Sequence, residues 1–243
     1  MSYQSTSRMM ADPDYPPTQG AFPVWSKVFT RPGEKTFLEI TDHPEAKAKS
    51  AYIWVFIVGT LTGLINSLVQ FVGTLIGLQQ SMPDIGQTPG LSGVLGTTGL
   101  LGAICGAPIA GLFSVLGFAI GVAIVHATAR FFGGQGSFDK LAYAFGAIAV
   151  PVSVISGVIV PLNIIPFAVF CTLPVLIVLI LYSLFLETAA IKAVHRFSWG
   201  EAAAALLLPT ILLSLLCGFT FLALMRVAAP YFNEIFRQLQ QMQ

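Results

Sequence analysis

Five stretches of this chain, about residues 51–78, 100–129, 141–160, 165–193 and 199–229, run for 20 residues or more with almost no charge. A helix needs about 20 apolar residues to cross the roughly 30 Å hydrocarbon core of a bilayer. Inside lipid every backbone N–H and C=O has to be bonded internally, which leaves helices or a closed barrel. The stretches are continuously apolar rather than alternating, so helices are the reading. The fold class is therefore an all-α integral membrane protein, a bundle of five transmembrane helices preceded by short amphipathic helices. Composition agrees. Only 9% of the 243 residues are charged, against about 25% in soluble domains, and mean hydropathy is +0.80. A net charge of +1 offers no dense basic face, which excludes nucleic acid as a partner.

The polar remainder divides the chain. Residues 1–23 hold Pro13, Pro16, Pro17 and Pro23 among Ser, Thr, Gln and Asp and read as a disordered cytoplasmic leader. Residues 24–49 form an amphipathic cytoplasmic or interfacial segment. Trp25, Val28 and Phe29 make one helical stripe, and Phe37, Leu38 and Ile40 make another beyond the Pro32-Gly33 break. These pieces either lie among the headgroups, with Trp25, Lys27 and Lys35 at the boundary, or pack on the ends of the spans. Asp42 reads as a helix cap, with Pro44 and Glu45 in the first turn. Residues 79–99, with Pro83, Pro89 and several glycines, read as an irregular loop. Ser137 caps the third span, Ser198 and Glu201 form a capping box for the fifth, and Pro161-Leu162-Asn163 makes a turn. Pro230 ends the fifth span, leaving residues 230–243 as a tail with Phe232, Ile235, Phe236 and Leu239 at helical spacing. No apolar run follows Met1, so the first span is expected to serve as its own insertion signal.

Basic residues are distributed ten against two across the alternate connections. Arg8, Lys27, Arg31, Lys35, Lys47, Lys49, Arg130, Lys140, Lys192 and Arg196 fall on one side, Arg226 and Arg237 on the other. The positive-inside rule then predicts a multi-pass topology with a cytoplasmic N-terminus and a C-terminus on the opposite side.

Four G-x-x-x-G pairs, Gly59/Gly63, Gly73/Gly77, Gly102/Gly106 and Gly117/Gly121, mark the first two spans for close helix packing. The pattern does not choose between packing within one chain and between chains, and oligomeric state stays open. Pro108, Pro151, Pro174 and Pro209 place a proline inside each later span, where it bends the helix. Asn66 and Gln70, one turn apart, are expected to make interhelical polar contacts. Cys105, Cys171 and Cys217 lie singly in apolar segments and read as small buried side chains, without metal or redox spacing.

Ionisable groups within spans are costly and therefore informative. His126 and Arg130 lie one turn apart at the end of the second span, and Glu187, Lys192 and His195 lie near the end of the fourth. They form a candidate polar or ion-pair site, with Glu187 expected to pair with Arg130, His126 or Lys192. Two histidines and a carboxylate without local spacing do not make a metal-ligand set. The Gly133-Gly134-Gln135-Gly136-Ser137 run lacks the Gly-Lys-Ser/Thr ending of a nucleotide loop and reads as a tight turn. No catalytic triad, paired carboxylate or H-E-x-x-H motif occurs, so neither an enzyme nor a cofactor is expected.

Several short motifs then fall in a familiar order. A tryptophan precedes Arg31-Pro32-Gly33-Glu34-Lys35-Thr36-Phe37-Leu38-Glu39-Ile40. His126 is followed by Arg130-Phe131-Phe132-Gly133-Gly134-Gln135-Gly136-Ser137-Phe138. Ala149-Val150-Pro151 comes next, and Ala193-Val194-His195-Arg196-Phe197-Ser198 stands before Glu201-Ala202. Over about residues 24–229 the chain resembles the Ypt-interacting protein (Yip) domain family in its prokaryotic branch. The resemblance implies a five-span membrane domain, here residues 50–229, with a cytoplasmic N-terminus. In eukaryotes such proteins bind prenylated Rab GTPases and assist vesicle traffic. Their Asp-Leu-Tyr-Gly-Pro signature has no match here, where Phe22-Pro23-Val24-Trp25 and Arg31-Pro32 occupy the region, so Rab binding is not carried over.

The function expected from these readings is a non-enzymatic, membrane-organising or partner-binding protein. It contacts membrane lipids and engages a cytoplasmic protein through residues 24–49. The alternative is a small transporter or channel-like protein with a polar site around Glu187, His126 and His195.

Overall fold

A computed structural model describes residues 20–44, 46–81, 91–164 and 167–241. Most of the leader, Glu45, and Pro83, Asp84 and Pro89 of the expected loop lie outside the described residues. Two short helices, α1 (Ala21–Thr30) and α2 (Glu34–Thr41), precede α3 (Ala48–Ser81), α4 (Leu91–Phe131) and α5 (Phe138–Ile159). A 3-10 turn (Val160–Ile164) then leads to α6 (Ala168–His195) and α7 (Trp199–Gln241). No strand occurs among the described residues. Five segments are long and apolar enough to cross a membrane: Ala48–Gly73, Ile104–Phe131, Phe138–Asn163, Ala168–His195 and Trp199–Ala229. The fold is the expected all-α membrane bundle.

Local details depart from the sequence reading. Asp42 does not start a helix; it ends α2, and α3 begins only at Ala48. The first free N–H of α3 is served from across the bundle, Ala48 N–H donating to Asp139 Oδ1 at 3.3 Å. The glycine-rich region is shorter as a loop than expected, because residues 79–81 and 91–99 are helical. Glycine costs a helix about 1 kcal/mol per residue, whereas an unbonded peptide group in lipid costs several, so the helix wins. Pro230 does not end α7, which runs on to Gln241. The Ser137 cap forms, its oxygen accepting from Lys140 N–H, and so does the Ser198–Glu201 capping box, at 2.9 Å and 3.4 Å.

The tightly buried core lies at one end of the bundle. It gathers Val24, Val28, Phe37 and Ile40 from α1 and α2, the start of α3, the end of α4, Leu141 to Ile148 of α5, Leu186 to Val194 of α6 and Ala202 to Leu206 of α7. The opposite halves present outward-facing side chains such as Phe170, Val178, Leu216 and Phe219, as a lipid-solvated surface requires. Cys105, Cys171 and Cys217 also face outward and are not buried between helices. The α1–α2 hairpin docks on the bundle. Tyr182 O–H donates to the Phe29 carbonyl at 2.6 Å, Trp25 meets Trp54 edge-on at 5.6 Å between ring centroids, and Lys27 pairs with Glu39. Burial of large apolar side chains contributes about 1.5–3 kcal/mol each, against about 0.2–1 kcal/mol for an exposed ion pair. The hairpin is therefore held mainly by its apolar face.

Close helix approach uses some of the expected glycines and some others. A methyl added at Gly59 would sit 2.7 Å from Ser114 Cβ, and one at Gly63 2.7 Å from Ala110 Cβ, so both seat α3 on α4. Among the described residues, Gly102, Gly106, Gly117 and Gly121 meet nothing within 4 Å. The surroundings of Gly73 and Gly77 fall outside the described residues. Contact between α3 and α5 relies instead on Gly146, whose added methyl would lie 2.6 Å from Ala51 Cβ and 3.0 Å from its Cα, and on Gly157 against Thr62. Gly146→Ala is expected to lower stability by about 1–3 kcal/mol through overpacking. Gly117→Ala should be neutral or gain up to about 1 kcal/mol in helix propensity. Thermal unfolding in detergent micelles compares the two, and equal midpoints would contradict this packing.

Candidate functional site

At the capped end, α4 and α6 both stop by turning left-handed. Gly133, at φ 87°, closes α4; Gly134 N–H bonds the Ala129 carbonyl at 2.9 Å and Gly133 N–H that of Arg130 at 3.0 Å, the paired bonds of a Schellman cap. Arg196, at φ 58°, closes α6, although a side chain makes that conformation costly. The glycine-rich run is thus a helix cap followed by a turn, and the turn is pressed onto α6. An added methyl at Gly134 would lie 2.5 Å from His195 Nδ1, and one at Gly136 2.5 Å from the Val194 carbonyl oxygen.

Within this seat the structure brings His126 and His195 together, their ring centroids 5.3 Å apart. His195 is 2% exposed and stacks on Phe197, while His126 meets Phe138 edge-on. Gly136 N–H donates to His195 Nδ1 at 3.1 Å. An acceptor at Nδ1 places the proton of a neutral imidazole on Nε2. His195 Nε2 and His126 Nδ1 are both buried without a hydrogen-bond partner among the described residues. A metal-ligating imidazole usually donates its other ring N–H to an acceptor, whereas His195 Nδ1 accepts an N–H here. Among the described residues no group of three or more potential ligands gathers.

The remaining site residues take other partners. Arg130 Nη1 reaches the Gly134 carbonyl at 3.5 Å. Lys192 bonds the carboxylate of Glu34 on α2 and lies 5.2 Å from the centroid of the Trp199 ring, tying α2, α6 and α7 together. The ion pair expected for Glu187 does not form: Glu187 makes no hydrogen bond or ion pair among the described residues. The reason is helical phase. Lys192 is five positions along, about 140° around α6, whereas only i+3 and i+4 neighbours share a face. Asn66, half-buried, lines a cavity against α5, and Gln70 is exposed.

Sequence reasoning missed Glu34, Asp42 and Asp139 as long-range partners. Asp42 accepts from Lys140 Nζ at 2.6 Å at the rim of a cavity of ≈ 390 Å³ between α2, the glycine turn and the end of α6, lined also by Gln135, Ser137 and Arg196. The only sequence signal was that these acids flank helix ends.

The architecture is that of a polytopic helical membrane protein whose N-terminal hairpin caps one end of five spans. The Yip1 domain model matches residues 26–222, and the chain belongs to that family. Neither curated proteins nor solved structures return a match.

Proposed function

We propose that this is a non-enzymatic membrane-organising protein of the prokaryotic Yip branch, which engages a cytoplasmic protein partner at the capped end of its bundle. The observation that carries the reading is the capped end itself. The docked hairpin, the turn seated on a buried histidine and the Asp42–Lys140 ion pair border an open polar cavity of ≈ 390 Å³. The spans beyond it present apolar faces suited to lipid. The bias of ten basic residues against two supports a cytoplasmic location for this end and a C-terminus on the opposite side, and membership of the prokaryotic branch would put the bundle in the plasma membrane.

Because α1 and α2 belong to the core, deleting them would confound binding with unfolding. A photo-crosslinking residue at Gln135, exposed on the cavity rim, tests the reading instead. One recurrent protein should be captured from intact cells at Gln135, and only lipid at Leu216. The same adducts at both positions would defeat the proposal. Cysteine at Gln135 should also resist a membrane-impermeant thiol reagent until the cells are opened.

A further inference from the structure

The half of the bundle farther from the cap contains polar groups that neither the family match nor the proposed function uses. Ser153, Ser156 and Gly157 of α5 and Val160, the first residue of the 3-10 turn, follow helical spacing, and with Thr62 and Asn66 of α3 they line a cavity of ≈ 210 Å³. A second cavity of ≈ 70 Å³ adjoins it, sharing Thr62 and Ser153 and adding Ser114 of α4. Counting about 1.5 Å per residue, Asn66 lies about 27 Å along α3 from Ala48, well beyond the buried core. Gly157 holds the wall open to this approach, since an added methyl would lie 2.8 Å from Thr62 Cγ2.

The hydrogen-bond inventory defines what fits. Thr62 donates to the Val58 carbonyl at 2.8 Å, Ser114 to Ala110 at 2.9 Å and Ser156 to Val152 at 2.8 Å, so each keeps oxygen lone pairs for a ligand. The amide of Asn66 and the hydroxyl of Ser153 make no hydrogen bond among the described residues and offer donors as well as acceptors. Among the described residues, no ionisable side chain lines either cavity. Leaving such groups against hydrocarbon costs about 2–7 kcal/mol for an amide or hydroxyl, and a site needs only about 10–15 Å³ to hold a water. Both cavities exceed that threshold.

We infer that the α3–α4–α5 interface holds a hydrated, uncharged binding site for small hydroxylated molecules of the glycerol type, with Asn66 and Ser153 as donors and Thr62, Ser114 and Ser156 as acceptors. A hydroxyl group both donates and accepts, which matches this wall; an ion finds no counter-charge.

The test places single cysteines in the full chain, with Cys105, Cys171 and Cys217 replaced by alanine, reconstituted in phosphatidylcholine vesicles. Ser153→Cys and Ser156→Cys change little volume, and each sample is first checked for an unchanged thermal midpoint; one folded variant suffices. The neutral, hydroxylated reagent 2-hydroxyethyl methanethiosulfonate should modify the cavity cysteine at least tenfold faster than Val154→Cys, whose position is 43% exposed on the outer face of α5. Glycerol at molar concentration should slow the cavity reaction at least threefold and leave Gln135→Cys at the capped end unaffected. Equal rates at the cavity and Val154 positions would overturn the hydrated site. Fast reaction without selective protection by glycerol would overturn the ligand assignment.

Discussion

Gly136→Ala should destabilise the protein by about 3 kcal/mol, combining overpacking of about 1–3 kcal/mol with about 1–3 kcal/mol for an orphaned buried N–H. The new methyl would lie 2.5 Å from the Val194 carbonyl oxygen and 2.9 Å from its carbonyl carbon. These are backbone atoms of α6 and cannot rotate aside. The turn must lift, and its N–H then leaves His195 Nδ1. Gly121→Ala, inside α4 and in open space, is the control and should keep the parent midpoint or raise it slightly through helix propensity. Thermal unfolding in micelles reads both, and a Gly136→Ala midpoint equal to that of Gly121→Ala would show that the turn is not seated on α6.

Phe37→Ala is expected to cost about 3–5 kcal/mol, the usual range for emptying a fully enclosed aromatic position; Phe37 is 0% exposed. The consequence should be local first. With its main anchor gone, the α1–α2 hairpin loosens from α5 and α6, and trypsin gains access to Lys27, Arg31 and Lys35. Glu39→Gln removes one ion pair with Lys27 and should change cleavage little, since exposed pairs contribute about 0.2–1 kcal/mol. If Glu39→Gln accelerates trypsin cleavage as much as Phe37→Ala does, charge rather than burial holds the cap.

The comparison of these two substitutions also separates the two ways residues 24–41 were legible. Their apolar stripes stood out, but the stripes allowed either a headgroup location or packing against the spans. What decides for packing is the hydrogen bond from Tyr182 to the Phe29 carbonyl and the Lys192–Glu34 pair, which join residues more than 150 positions apart. The candidate polar site divided in a similar way. His126 and His195 were singled out as rare ionisable groups and do meet. Lys192, one of three partners the sequence allows for Glu187, pairs with Glu34 instead, because its direction around α6 depends on helical phase and its partner stands on a helix whose docking no local pattern encodes.

The sequence by itself determined the solvent, the number of spans and the capping of α5 and α7. These follow from the cost of charge and of unbonded peptide groups in lipid, which act on each segment independently. It also supplied every glycine that packing uses, without telling Gly59 and Gly146, which face a neighbour, from Gly102 and Gly117, which face none. Only the tertiary structure settled that difference, together with the cap, the cavities and the partners of Asp42, Asp139 and Lys192. Those depend on crossing angles and rotation between helices far apart in the chain, and a single helix carries no record of what it will lie against.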